Sequence, residues 1–164
     1  MKQLLLIRHA KSSWDDPALS DFDRPLNERG KRDAPTMAKR LADKKVKIDA
    51  FVSSPAKRAK QTTKHFTKEL DLKKNNIVFE AGLYEAGEEN FYQVVENLKN
   101  KWDNVAIVSH NPGITSFANS LTETRIDDMP TSSVFAIKID EDKWTKFRTA
   151  KKEFWFFDFP KAEE

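Results

Sequence analysis

Apolar residues occur along this chain in short runs that alternate with longer amphipathic stretches. The short runs, each bounded by polar residues, predict buried strands at 4–7, 48–52, 76–80 and 105–108. Between and after them, apolar residues recur at helical spacing in 27–42, 55–70, 88–102 and 114–121. This alternation predicts an α/β fold, a three-layer α/β/α sandwich with a mostly parallel central sheet.

Three positions mark the expected ends of helices. Asn27 is predicted to be the N-cap of the first helix. Pro35 lies inside that helix, and the sequence leaves open whether the helix runs through it or restarts there. In the second helix, Ser54 is the expected N-cap and Pro55 the first helical residue.

The last thirty residues have a different pattern. Residues 133–139 alternate between apolar and polar, and the aromatic-rich segments 144–148 and 153–159 are also typical of strands. We therefore expect a C-terminal β-hairpin at the edge of the sheet.

Composition narrows the possible function classes. The 164 residues, with 29 Lys and Arg against 26 Asp and Glu, are expected to form a single domain, 1–164, whose charges are interspersed. A nucleic-acid-binding protein would cluster its basic residues, so we expect no nucleic acid partner. The absence of cysteine excludes disulfides and Cys-based zinc sites. No apolar run is long enough for a signal peptide core or a membrane span, so a cytoplasmic location is the expectation.

Polar residues follow each of the four predicted parallel strands where the strand ends. The candidate functional residues among them are Arg8, His9, Arg58, Glu85 and His110. Because the carboxyl ends of parallel strands meet at the edge where such sheets bind ligands, we expect these side chains to converge. Guanidinium groups and the N-terminus of the Pro55 helix suit a phosphoryl group. Of the two histidines, one can act as a nucleophile and the other can donate to phosphate oxygens.

Four sequence blocks carry a resemblance to a known family. They are 6–12 (LIRHAKS), 23–30 (DRPLNERG), 53–62 (SSPAKRAKQT) and 108–113 (VSHNPG). In this order and spacing they resemble the histidine phosphatase superfamily, and within it the small phosphohistidine phosphatases of the SixA type. The resemblance covers the chain up to residue 139, although Ala10 stands where the superfamily more often has Gly.

The resemblance implies a histidine-phosphatase (phosphoglycerate-mutase-like) fold and a metal-independent phosphatase without a cofactor. His9 resembles the nucleophile that takes up the phosphoryl group as a phosphohistidine intermediate. Arg8, Arg58 and His110 resemble the residues that hold the phosphate, and Ser12 matches a position that gives a supporting substrate contact. The implied substrate is phosphohistidine on a protein partner, with a small phosphate-bearing substrate of a phosphomonoesterase or mutase as the alternative.

The proton donor is predicted from the segment Leu83-Tyr84-Glu85. This segment resembles the Leu-x-Glu that supplies the general acid in the mutase and broad phosphatase branches, so Glu85 is the candidate acid. Asp21 and Asp23, in the loop before the first helix, are further candidates. An ordinary surface carboxylate is the alternative interpretation of Glu85.

Other interpretations of the same residues stay open. His9 and His110 with a nearby carboxylate could form a metal hydrolase site, and the cationic edge could bind a phosphoprotein without turnover. A serine hydrolase is not indicated, since no Gly-x-Ser-x-Gly segment is present. Lys57, Lys60 and Lys64 are expected to form a solvated helix face, or a positive field for an acidic partner. The sequence does not define an oligomeric state.

Overall fold

Six strands form one sheet in the computed structural model, which describes residues 1–163. They are β1 (Lys2–Arg8), β2 (Ala50–Ser53), β3 (Ile77–Phe79), β4 (Asn104–Ser109), β5 (Val134–Asp140) and β6 (Lys151–Asp158). Their order across the sheet is β3-β2-β4-β1-β5-β6. Strands β1 to β4 are mutually parallel, and β5 runs antiparallel to both of its neighbours. The predicted mostly parallel sheet is confirmed.

Four α-helices cover the two faces of this sheet. They are α1 (Glu28–Asp43), α2 (Lys57–Glu69), α3 (Glu88–Glu96) and α4 (Gly113–Leu121). On one face Leu5 of β1 shares a buried core with Met37 of α1, and on the other Leu4 shares one with Phe117 of α4. Residues 4–7 are fully buried, which contributes about 2 kcal/mol per side chain. The three-layer sandwich is therefore confirmed.

Helix α1 begins where the sequence predicts and is continuous through its proline. The Asn27 side chain accepts a hydrogen bond from the Gly30 N–H at 2.9 Å, which makes it the N-cap. Pro35 lies within an unbroken helix. At Gly30 the helix approaches the chain that follows β1 so closely that an added Cβ would lie 2.2 Å from the Lys11 carbonyl oxygen.

Helix α2 starts later than predicted. Its N-cap is Ala56 and its first residue is Lys57, so Ser54 and Pro55 precede the helix. The reason is that the Ser54 N–H bonds the Val108 carbonyl oxygen at 2.9 Å, which continues the β2–β4 pairing beyond the strand. The Ser54 hydroxyl accepts from the Ala56 N–H at 3.2 Å and shapes the turn into the helix.

Helix α3 ends at Glu96, so the prediction that it extends to Trp102 is wrong. Asn97 is the C-cap, and its side chain donates to the Gln93 carbonyl oxygen at 2.7 Å. Trp102 still packs into the same core from the following turn. Apolar spacing therefore continued in sequence although the helix had ended.

The C-terminal hairpin forms, but one segment assigned to it does not. Strands β5 and β6 pair antiparallel, with β6 at the sheet edge, as predicted. Residues 144–148 were expected to be extended, yet Trp144–Thr149 is a 3-10 helix. The physical reason is that Trp144 and Phe147, three residues apart, project from the same side of this turn and are both buried. None of the helices in residues 1–163 combines the length and the apolar character that a membrane crossing requires.

Candidate active site

A cleft of about 380 Å³ lies at the carboxyl ends of the central strands. Arg8 ends β1 and pairs with Ser109, which ends β4, so the residues that follow them enter the cleft side by side. Arg58 reaches it from the first turn of α2. Of the eight residues that the sequence suggested, seven line the cleft: Arg8, His9, Ser12, Asp21, Arg58, Glu85 and His110. The predicted convergence of these side chains is what the structure shows.

His9 is oriented by a hydrogen bond to its own backbone neighbour. Its Nδ1 lies 2.7 Å from the Ala10 carbonyl oxygen, which can only accept. Nδ1 therefore carries the proton, and Nε2 of the neutral ring keeps its lone pair. Arg58 Nε donates to that Nε2 at 3.4 Å. The reactive nitrogen of His9 thus faces a guanidinium that can hold an anion beside it.

Burial keeps the two histidines neutral. His9 is 6% exposed, and desolvation lowers its pKa from 6.5 to about 3, even though the Ala10 carbonyl favours the protonated form. Desolvation lowers the pKa of His110 to about 4, and the nearby Arg58 charge acts in the same direction. The neutral form is the one with a lone pair that can attack phosphorus.

His110 is fixed against His9 by the β2–α2 turn. Its Nε2 lies 2.7 Å from the Ser54 hydroxyl oxygen, and the centroids of the two imidazole rings are 5.0 Å apart. Tyr84 packs edge-on against the other side of His110, with ring centroids at 5.5 Å. His110 is therefore held next to the nucleophile candidate rather than free to rotate away.

Arg8 is anchored from the segment before β5. Its Nη1 donates to the Met129 carbonyl oxygen at 2.8 Å and lies 3.8 Å from an Asp128 carboxylate oxygen. These contacts occupy one nitrogen of the guanidinium. Its Nε is buried without a partner, which leaves Nη2 as the nitrogen available to a phosphoryl group in the cleft that Arg8 lines.

Asp21 joins the cleft through a hydrogen-bonded network that the sequence did not reveal. Its carboxylate accepts from the Tyr84 hydroxyl at 2.7 Å and from Arg58 Nη2 at 3.0 Å. The Tyr84 bond and then the Arg58 bond lower the pKa of Asp21 to about 2. The same bond to Asp21 raises the pKa of Tyr84 to about 12. Asp21 is therefore a carboxylate that positions Arg58, and it is a poor proton donor near neutral pH.

Arg24 and Trp14 form the wall of the cleft next to Ser12. Arg24 Nη1 donates to the Ser12 hydroxyl at 2.8 Å, and its guanidinium carbon lies 3.5 Å from the centroid of the Trp14 ring. Sequence reasoning assigned no role to either residue. Arg24 belongs to the quoted block 23–30, which was the available signal, whereas Trp14 lies in a polar loop with no periodic pattern.

Glu85 and Asp23, the two remaining acid candidates, lie in different places. Glu85 lines the cleft with an exposed side chain and a left-handed backbone, φ 56°. Strained backbone of this kind is frequent at functional sites. Asp23 does not line the cleft, and its carboxylate accepts from the Ser20 hydroxyl at 3.0 Å. Glu85 is thus the acid candidate with access to a bound substrate.

The donor set for a metal ion is incomplete at this site. Within residues 1–163, no cluster of three or more His, Cys, Asp or Glu side chains has the arrangement of a metal site. His9 and His110 are instead surrounded by the cations Arg8, Arg58 and Arg24, which oppose the binding of a second positive charge.

Comparisons with known proteins give the family. Residues 4–88 match the model of the histidine phosphatase superfamily (branch 1). An uncharacterised chloroplastic protein of Arabidopsis thaliana is 30% identical over 133 residues, which are 76% of this chain but only 61% of that protein. The SixA protein of Agrobacterium tumefaciens, a proposed phosphohistidine phosphatase, has a similar structure, with a TM-score of 0.82, 26% identity and coverage of 97% and 98% of the two chains. A protein histidine phosphatase SixA complexed with tungstate shares the fold, with a TM-score of 0.83, 23% identity and 99% coverage of both chains.

Proposed function

Because the chain belongs to the histidine phosphatase superfamily and is of the SixA type, we propose that it is a phosphatase that works through a phosphohistidine on His9. The observation that carries the proposal is the state of His9 itself. Its Nδ1 is committed to the Ala10 carbonyl, and its Nε2 lone pair lies beside Arg58. A neutral, oriented imidazole next to a forked cation is what attack on a phosphoryl group requires.

In the first step, Nε2 of His9 attacks phosphorus. The new N–P bond forms as the bond between phosphorus and the leaving group of the substrate breaks. Arg8, Arg58 and His110 hold the phosphoryl oxygens as their charge redistributes, and Ser12 supports the bound substrate together with Arg24. The leaving group takes a proton from Glu85, which lies exposed at the cleft.

In the second step, a water molecule attacks the phosphorus of the phosphohistidine. The N–P bond to His9 breaks, the electron pair returns to Nε2, and inorganic phosphate leaves. Glu85, deprotonated in the first step, accepts the proton of the attacking water, so the enzyme returns to its starting state. No step calls for a metal or a cofactor.

The proposed substrate is phosphohistidine carried by a protein. Support comes from the likeness to the Agrobacterium SixA protein, a proposed phosphohistidine phosphatase, along almost the full length of both chains. The P–N bond of phosphohistidine is more labile than the P–O bond of a phosphate ester, so release of the substrate imidazole depends less on a strong acid. An acid as solvent-exposed as Glu85 suffices for such a substrate.

A small phosphate ester is the second candidate substrate. The cleft volume of about 380 Å³ lies in the range of small-molecule sites, and the Trp14 ring at its wall offers an apolar surface. Comparison of kcat/KM for a phosphohistidine peptide with values for sugar phosphates and phosphoglycerate distinguishes the two. A preference for the esters would replace the first candidate by the second.

Trapping with radiolabelled substrate tests the reaction class. Rapid quenching is expected to leave an acid-labile, base-stable label that maps to His9. The His9→Ala variant is expected to lose the label and the turnover, because the other imidazole of the cleft, His110, has its Nε2 committed to the Ser54 hydroxyl. His65→Ala, which removes the histidine of α2 outside the cleft, is the matched control and should retain both. Near-normal hydrolysis by His9→Ala would rule out the covalent step.

The proposal has three further parts. Residues 1–164 act as one histidine phosphatase domain, catalysis is independent of metals, and the enzyme works in the cytoplasm. The single-domain assignment predicts that this chain alone carries the activity.

Metal independence predicts that a chelator leaves kcat unchanged. Loss of activity that returns with added metal would instead favour the two-histidine metal hydrolase. Fluorescent tagging in the cells of origin tests the cytoplasmic location.

A further inference from the structure

A second surface with a distinct chemical character lies beside the cleft, between α2 and β3. We name it the lysine groove, and its volume is about 690 Å³. It combines exposed ammonium groups with an apolar floor. Its lining includes four lysines, one carboxylate and an apolar part, namely Lys60, Lys64, Lys68, Lys74, Asp71, Leu72, Ile77 and Phe79.

The charge of this region differs from that of the rest of the chain. Segment 57–74 contains seven cations and two carboxylates, a net charge of +5, whereas the whole chain carries +3. The remainder is therefore net −2. The expectation of interspersed charges is therefore wrong for this helix and the turn after it, where positive charge is concentrated and favours association with an anion.

The lysines of this segment lack carboxylate partners. Within the part of the chain that the structure describes, none of the six lysines of segment 57–74 lies within 4.0 Å of an acidic oxygen. Exposed lysines of α1 behave differently, since Lys39 pairs with Asp43 at 3.2 Å and Lys31 with Glu28 at 3.5 Å. Burial lowers the pKa of His65 on α2, and the charges of Lys68 and Lys64 lower it further. The helix thus carries an uncompensated positive field.

The floor of the groove is suited to a polypeptide. Strand β3 is the edge strand of the sheet, paired with β2 on its inner side. Its Phe79 is 46% exposed, with Lys60 Nζ 5.2 Å from the ring centroid. An edge strand offers main-chain donors and acceptors to an extended segment, and alternate side chains of that segment can contact the groove.

The groove and the catalytic cleft are lined from different sides of the same end of α2. Arg58, in the first turn of the helix, lines the cleft, and Lys60 at the start of the groove follows two residues later. At the rise of an α-helix, Lys60 and Lys68 are separated by about 12 Å along the axis. An extended segment of about four residues spans that distance.

We propose that the lysine groove binds an acidic, extended segment of the phosphoprotein substrate while the phosphohistidine occupies the cleft. The inference rests on the proposed function and adds to it the chemistry of the partner. A polypeptide fits better than a nucleic acid, because the open strand edge matches a main chain.

The test compares two synthetic phosphohistidine peptides of equal length. One carries four Asp and Glu residues beside the phosphohistidine, and the other carries the matching Asn and Gln residues. At low salt we expect a kcat/KM about tenfold higher for the acidic peptide, from three or four screened charge contacts. In Lys60→Gln/Lys64→Gln/Lys68→Gln this ratio should fall to about one. Lys39→Gln/Lys47→Gln/Lys101→Gln, which removes three exposed lysines elsewhere, is the matched control and should keep the tenfold ratio.

Two outcomes would overturn the inference. One is an unchanged ratio in the groove variant, and the other is displacement of the acidic peptide by a single-stranded oligonucleotide that binds more tightly at the same salt concentration. Fluorescence anisotropy with the unphosphorylated acidic peptide separates this inference from the proposed function. If the acidic peptide bound through the lysine groove but no phosphohistidine substrate were hydrolysed, the proposed phosphatase activity would be rejected. The binding of an acidic segment by the groove would still stand.

Discussion

Acidification from pH 7 to pH 5 is expected to destabilise the protein through its two buried histidines. The pKa of His9 is about 3 in the folded state against 6.5 for an exposed imidazole. Between these values the unfolded chain binds a proton that the folded chain rejects, so the free energy of unfolding falls as the pH falls. The contribution is fully present above pH 6.5 and is lost progressively down to pH 3.

The size of the effect follows from the same pKa values. At pH 5 an unperturbed histidine is about 97% protonated, whereas His9 in the folded protein is almost entirely neutral. By linkage, the low pKa of His9 lowers the free energy of unfolding by about 2 kcal/mol between pH 7 and pH 5. His110, whose folded pKa is about 4, contributes a further loss of about 2 kcal/mol.

Urea unfolding at the two pH values, followed by tryptophan fluorescence, measures this loss. Comparison of the wild-type protein with His9→Gln isolates the contribution of one imidazole. On acidification, the free energy of unfolding is expected to fall by about 2 kcal/mol less in the variant than in the wild type. His65→Gln, which removes a half-exposed imidazole outside the cleft, is the matched control and should lose more than His9→Gln.

The same measurement bears on the mechanism. If His9→Gln lost as much stability as the wild type between pH 7 and pH 5, burial would not hold His9 in its neutral form. The unprotonated Nε2 on which nucleophilic attack depends would then lack its physical basis. Imidazole nitrogen chemical shifts, followed through the titration, give an independent reading of each pKa.

Two further predictions concern the proton donor and the packing beside the cleft. Glu85→Gln is expected to slow hydrolysis of phosphate esters about a hundredfold and hydrolysis of phosphohistidine less, since the substrate imidazole leaves more readily than an alcohol. Equal losses in steady-state kinetics would contradict this role. Gly113→Ala is expected to lower the free energy of unfolding by about 2 kcal/mol, because its Cβ would lie 2.0 Å from the Ala86 carbonyl oxygen. Urea unfolding measures this, with Gly82→Ala, whose Cβ meets nothing within 4 Å, as the control; equal midpoints would mean that α4 shifts freely.

The fold was predictable because its strands and helices follow from local apolar periodicity. Residues 4–7 and 105–108 form uninterrupted apolar runs and became central strands buried on both faces. Periodicity failed where apolar residues reach the core from irregular backbone. Trp102 packs into the same core as α3 from outside that helix, and Trp144 and Phe147 do so from a 3-10 turn. Sequence spacing alone does not distinguish these cases.

The site was predictable to the extent that strand ends define it. Arg8, His9 and His110 follow directly from β1 and β4, and Arg58 follows from the first turn of α2. The residues contributed by loops were not predictable in the same way. Asp21 contacts Arg58 across 37 positions of sequence, a pairing that depends on the path of an irregular segment.

The central position of strand β1 affects the order in which structure and catalytic activity are lost on unfolding. Strand β1 lies between β4 and β5, so both of its backbone edges are occupied, and Arg8 and His9 come at its end. The amides of residues 4–7 can exchange with deuterium only when the whole sheet opens, whereas the edge strand β6 can fray separately. A molecule in which β6 has separated from the sheet still holds the proposed nucleophile, His9, in place. Catalytic competence should therefore persist until the final cooperative transition.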